Sequence, residues 1–196
     1  MISRIGEFTL RPPEPADIEA LYRYKNDPDI AGRLVGFSTG YSKSDLAHWV
    51  EFHRKCQDEV LWVIATEKNH CIGHVGLYRI DHRIGCAEFG IMIGDRSYHG
   101  RGLGRACTQF AVDYGFRELN LNRIDLRVLA TNTAAIHLYR SLGFEQEAQL
   151  RQAQYKSGVY VDILIMGMLR EDYFARDAEA KRQTEVRSVA IESSGS

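Results

Sequence analysis

Ile91-Met92-Ile93-Gly94-Asp95-Arg96-Ser97-Tyr98-His99-Gly100-Arg101-Gly102-Leu103-Gly104-Arg105-Ala106 closes one apolar run, turns through glycines and opens a different pattern. Before it, Cys86 to Ile93 is a strand-like run; after it, Leu103, Ala106, Cys107, Phe110 and Tyr114 recur at the three-to-four spacing of a helix face. The order is therefore strand, glycine loop, helix. The first turn of a helix holds N–H groups without intrahelical partners at the positive end of the helix dipole. Gly102 and Gly104 put no side chain in front of them, which lets a pyrophosphate approach the backbone. A plain tight turn into a helix would use the same glycines, and the surrounding chain has to decide.

Two familiar nucleotide loops do not match. A dinucleotide fingerprint needs G-x-G-x-x-G/A near the first strand, and Gly102-x-Gly104 is followed by Cys107. The G-x-x-x-x-G-K-[ST] loop is missing altogether.

Working outward, Leu61-Trp62-Val63-Ile64-Ala65 and Cys71 to Tyr78 read as two strands joined by a turn at Asn69, a hairpin. Upstream, Glu7 to Arg11 is a short strand ended by Pro12-Pro13, and Asp17 is placed to cap a helix from Ile18 to Asn26. Asp27-Pro28-Asp29 signals a turn and 36–40 a loop. Ser42 with Asp45 resembles a capping box opening a helix to Arg54. Downstream, Arg123 to Leu129 is a strand, Thr133 to Leu142 a helix stopped by Gly143, and Val159 to Met168 another strand. Past Tyr173 the apolar periodicity fades, so one domain over 1–174 and a disordered tail over 175–196 are expected.

The 196 residues are 44% apolar with a formal net charge of -1. That balance gives a core but no attraction to phosphate backbones or anionic lipid, so neither nucleic acid nor membrane is an expected partner. Without an apolar leader or a span of roughly 20 apolar residues, a cytoplasmic protein is expected. Cys56, Cys71, Cys86 and Cys107 lack metal-ligand spacing, and no metal site is expected.

His99-Gly100-Arg101-Gly102-Leu103-Gly104 resembles the R/Q-x-x-G-x-G/A loop of the GNAT N-acetyltransferases, with His99 where the family carries Gln or Arg. Asn132-Thr133-Ala134-Ala135-Ile136-His137-Leu138-Tyr139-Arg140-Ser141-Leu142-Gly143-Phe144 is similar to that family's N-x-x-A-x-x-x-Y-x-x-x-G-F segment. Ala87-Glu88-Phe89, Asp113 to Phe116 and Leu119-Asn120-Leu121 look like spermidine and spermine acetyltransferases and RimJ/RimL-type enzymes. Tyr24-Lys25-Asn26-Asp27-Pro28-Asp29-Ile30 resembles, more weakly, acetyltransferases of nucleotide-linked amino sugars.

The resemblance implies an α/β (α+β) GNAT fold, with a mixed, mainly antiparallel sheet flanked by helices and splayed between the Cys86 and Arg123 strands. Acetyl-CoA is the implied acyl-donor substrate. His99, Gly100, Gly102, Leu103 and Gly104 would cradle its pyrophosphate, with Arg101 or Arg105 near phosphate. Met92 and Ile93 would meet pantetheine and thioester through their backbone, and Asn132 and Ala135 would lie along the pantetheine arm. Asn132 is explained equally well as a helix cap.

In the family the tyrosine matching Tyr139 protonates the departing thiolate; core packing with Ala135 and Leu142 is the plainer reading. Glu88, in an apolar strand, is the candidate to take the amine's proton or bind a cationic acceptor, His74 a second, and a salt-bridged strand residue the bland alternative. An alkylamine has a pKa near 10.4, leaving only about one molecule in a few thousand as free base at pH 7, so proton removal matters.

The expected function is transfer of acetyl from acetyl-CoA to a small-molecule amine, a polyamine or amino sugar, by direct attack in a ternary complex. N-terminal acetylation of a protein and non-catalytic acyl-CoA binding remain alternatives. Gly36-Phe37-Ser38-Thr39-Gly40 matches the G-x-S-x-G elbow of serine hydrolases, without the strong strand that such an elbow follows. Pairing of two subunits through the Val159 strand, a homodimer, is a further expectation.

Overall fold

The side chains of the central strands alternate between two apolar sets, and each set finds its own layer of helices. The computed structural model describes residues 2–36 and 39–193. Its strands are β1 (Ser3–Ile5), β2 (Phe8–Arg11), β3 (Val60–Ala65), β4 (Cys71–Asp81), β5 (Cys86–Ile93), β6 (Arg123–Leu129), β7 (Glu145–Lys156) and β8 (Val159–Leu169). They form one sheet in the order β1-β2-β3-β4-β5-β6-β8-β7. Among the described strands only β5 and β6 run parallel, which a helical crossover between them permits. The mixed, mainly antiparallel sheet expected from the resemblance is what the chain forms.

The helices are α1 (Ile18–Lys25), α2 (Pro28–Ala31), α3 (Lys43–Lys55), α4 (Leu103–Arg117), α5 (Thr133–Leu142) and α6 (Arg170–Ser193). On one face Trp62, Val75, Leu77 and Phe89 pack with Cys107, Ala111 and Phe116 of α4 and Ile136 of α5. On the other, Val63, Ala65 and Met92 pack with Leu21, Ile30, Leu46 and Val50 from α1, α2 and α3. Trp62 sits edge-on to Phe110 and Tyr114, with ring centroids 5.1 and 5.0 Å away. Removing such a ring costs about 3–5 kcal/mol, so this contact anchors α4 over the sheet.

Several local expectations hold and several are corrected. The Ser42 box forms with both bonds, Asp45 N–H to Ser42 Oγ at 3.1 Å and Ser42 N–H to Asp45 Oδ2 at 2.7 Å. Asp17, read as the cap of α1, caps nothing there. Its carboxylate instead accepts from Glu14 N–H and holds the buried Arg11 guanidinium through two 2.8 Å bonds, because a buried cation needs its anion. Asp27-Pro28-Asp29 is not merely a turn; it opens α2, with Asp27 accepting from Asp29 and Ile30 N–H. β7 is absent from the sequence reading, since Glu145–Lys156 is polar and largely exposed and is held as an edge strand by β8. Arg170–Ser193 runs as one helix, with Arg117 and Lys181 both reaching Asp177; an Ala-, Glu- and Arg-rich segment favours helix even without an apolar stripe.

Candidate active site

β5 and β6 pair only over Cys86, Ala87 and Glu88 against Arg123, Ile124 and Asp125. Beyond Glu88 they separate, because β6 stays paired with β8 along its whole length while β5 stays with β4. The backbone groups of β5 that would have met β6 are left facing a cleft, as on an exposed sheet edge. A cavity of about 790 Å³ opens there, reaching from the glycine loop to α1 and the loop after α2.

The loop ends in α4, whose cap residue Gly102 has φ +80, a left-handed conformation that glycine adopts without strain. Ala106 N–H donates to the Gly102 carbonyl at 3.0 Å, the first bond of the helix. The N–H groups of Leu103, Gly104 and Arg105 therefore stay free of helix partners at the positive end of the dipole. Gly100, Gly102, Gly104 and Arg105 line the cavity, while Leu103 is buried in the core and offers only its backbone. Arg101 does not line it: its guanidinium reaches Glu7 at 3.3 Å and stacks over Tyr98. His99 donates from Nε2 to the Ile93 carbonyl at 2.9 Å, tying the loop to the end of β5.

Met92 and Ile93 line the cavity from β5, Asn132, Ala135 and Tyr139 from α5 and its cap. Asn132 Oδ1 accepts from Ala135 N–H and its Nδ2 donates to the Arg33 carbonyl, both at 3.3 Å, so the helix cap also pins the acceptor-side loop. Tyr139 is buried edge-on against Phe89 and Phe144, and burial pushes its phenol up to about 12. Tyr139 thus belongs to the core and to the cavity wall at once.

Glu88 lines the cavity where the strands part and is ion-paired with Arg79. In register with it stand Tyr78 on β4 and Asp125 on β6. Opposite Met92 is His74, buried, with Nε2 lacking a hydrogen-bond partner. Burial, then the nearby Lys25 and His53, hold its imidazole well below the usual histidine value, hence neutral.

Lys25, Arg127 and Lys156 also line the cavity and were missed by the sequence reading. Lys25 and Arg127 look like solvent-facing charges on a helix and a strand, and Lys156 belongs to the unrecognised β7. Ser38 of the hydrolase-like match lies outside the described residues.

A family model described as an acetyltransferase (GNAT) domain matches residues 7–145. The chain belongs to the GNAT acetyltransferase family. Spermidine N(1)-acetyltransferase of Vibrio cholerae is 31% identical over 172 residues, spanning 87% of this chain and 98% of its own. The enzyme of that name from Escherichia coli K12 is 32% identical over 167 residues, 85% of this chain and 88% of its own. A crystal structure of the Vibrio cholerae spermidine N-acetyltransferase with CoA and spermine superposes with a TM-score of 0.80 at 29% identity, covering 87% of this chain and 99% of that one. Another solved form of that relative, at a TM-score of 0.75, is dodecameric. This GNAT chain is an acetyl-CoA-dependent N-acetyltransferase acting on an amine. The glycine loop, the free N–H groups of α4 and Arg105 suit the donor's phosphates, and the open edge of β5 suits an extended pantetheine.

Proposed function

We propose that the protein acetylates the primary amine of a small molecule, a polyamine or amino sugar, by direct attack on the thioester in a ternary complex. The carrying observation is that Glu88, Met92, Tyr139 and the glycine loop line one continuous cavity at the parting of β5 and β6. The amine enters from the α1 side, loses its proton to Glu88 and attacks the thioester carbonyl. Backbone N–H at the open edge of β5 stabilises the developing oxyanion. Tyr139 keeps its proton up to about pH 12 and is always ready as a donor. A free thiolate has a pKa of about 8.5, so complete transfer from that phenol is uphill and is coupled to proton loss from the amine.

A small acceptor is favoured over a protein N-terminus by the strap across the acceptor entrance. Lys156 Nζ donates to the carbonyls of Ala31 and Gly36 at 2.9 and 2.7 Å, and Gly36 N–H donates to Gln154, joining the loop after α2 to β7. The same reading places the enzyme in the cytoplasm, its four cysteines free, and has it self-associate through the β7–β8 hairpin, where Tyr155, Val159 and Tyr160 are exposed.

Thiol release from acetyl-CoA is the direct test, against polyamines, amino sugars and N-terminal peptides. Turnover of a small amine that falls about 100-fold in Tyr139→Phe, with donor binding retained, is the expected result; unchanged turnover in that variant refutes the acid role.

A further inference from the structure

The cavity's charges divide by position and by whether they are already neutralised. Both of its carboxylates are engaged: Asp29 binds Arg96 at 2.7 Å, and Glu88 binds Arg79. Four cations that also line it, Lys25, Arg33, Arg127 and Lys156, have no carboxylate partner among the described residues. Lys25 rests its ammonium over the rings of Trp49 and Tyr41, 4.5 and 5.4 Å from their centroids, and Lys156 bonds only carbonyls.

These cations do not serve the donor's phosphates. The phosphate loop and α4 lie on the Trp62–Phe89 face of the sheet. Register pairs Glu88 with Asp125, so Arg127, two residues on, shares the Glu88 face; Met92 on that face lies opposite His74 and packs with α1 and α3. Lys25 ends α1, Arg33 follows α2, and Lys156 reaches the α2 loop. All four therefore surround the acceptor's end of the cavity, Lys25 and Lys156 partly buried and Arg33 and Arg127 exposed, and cations without anions there repel a polycation and attract an anion.

We infer, on the acetyltransferase reading above, that among such small amines the preferred acceptor is one that also bears an acidic group, a carboxylate or a phosphate, rather than a free polyamine. The amine sits at Glu88, and the acidic group faces Lys25, Arg127 and the Arg33–Lys156 rim. A guanidinium and an ammonium both serve either anion, the guanidinium in a bidentate fork. Burial brings the Lys25 ammonium down to about 8, which leaves it charged at neutral pH.

The test is steady-state thiol release by the full chain at pH 7 with matched acceptors: an amino acid and its amide, an amino-sugar phosphate and the parent amino sugar, and spermidine. An amide lowers the pKa of its neighbouring amine and so supplies more free base, which biases the comparison against the inference. The expected result is a kcat/KM for one acidic member at least about tenfold above its neutral partner and above spermidine, the gap closing as salt rises. Which pair shows the gap tells carboxylate from phosphate. Lys25→Met and Arg127→Gln should each shrink the acidic-to-neutral ratio severalfold, with Lys25→Arg restoring it, and calorimetry on the CoA-bound protein should show the same ratio in acceptor binding. Spermidine as the best acceptor, or equal rates within both pairs, overturns the inference and leaves the acetyltransferase standing. No thiol release with any amine despite measurable acetyl-CoA binding overturns both.

Discussion

At Glu88 the chemistry of the site depends on what the carboxylate does with the amine. An effect of Glu88→Gln confined to the amine's KM assigns it to holding the ammonium, whereas a fall of about 100-fold in kcat, the expected outcome, assigns it to proton removal. Lys25 supplies a second residue-scale prediction. Its folded value of about 8 lies below that of a lysine in an unfolded chain, near 10.4, so between those values the unfolded state holds more protons and stability rises with pH. The difference in urea midpoint between the wild type and Lys25→Met should therefore move in favour of the wild type from pH 7 to pH 10. A difference independent of pH removes the case for a desolvated ammonium. Glu88 and Tyr139 were legible in the sequence because each stands inside a motif or an apolar run. Lys25, Arg127 and Lys156 were not, because a charge on a helix or strand reads as a solvated face until another element covers it.

Among the elements, the turn into α4 carries the most function for the fewest residues, and its two glycines differ in kind. Gly102 is needed for its positive φ, so Gly102→Ala should lower stability by about 1–2 kcal/mol and distort the first turn. A Cβ on Gly104 would make only ordinary contacts, 3.6 Å from Ile93 and Leu138. Gly104→Ala should therefore fold with an unchanged or raised Tm and keep its KM for acetyl-CoA, because the family's loop takes glycine or alanine at this position. A KM raised more than a fewfold in Gly104→Ala would show that the donor needs the space left by the missing side chain at that position. The strands and helices with strong period-two or three-to-four patterns were all readable, from β3 to α5. β7 was not: twelve mostly polar, exposed residues become a strand only because β8 offers them a hydrogen-bonding edge.

For the molecule as a whole, the hairpin end of the sheet is where a second copy would add. Tyr160 and Val159 are 67% and 57% exposed there, and Tyr160→Lys should lower the mass seen by light scattering without loss of the fold; an unchanged mass moves the interface elsewhere. The order of strand, glycine loop and helix was legible by itself, because these are local patterns whose spacing is set by backbone geometry; the fold, the acetyl donor and the place of Tyr139 came from the resemblance of that loop and of the asparagine-to-tyrosine segment to the GNAT family. The ion pairing of Glu88 with Arg79 and the gathering of Lys25, Arg33, Arg127 and Lys156 at one end of the cavity were decided only by the tertiary structure. Whether a charge meets water, a carboxylate or an unfilled cavity depends on which distant elements pack around it, and no local pattern encodes that.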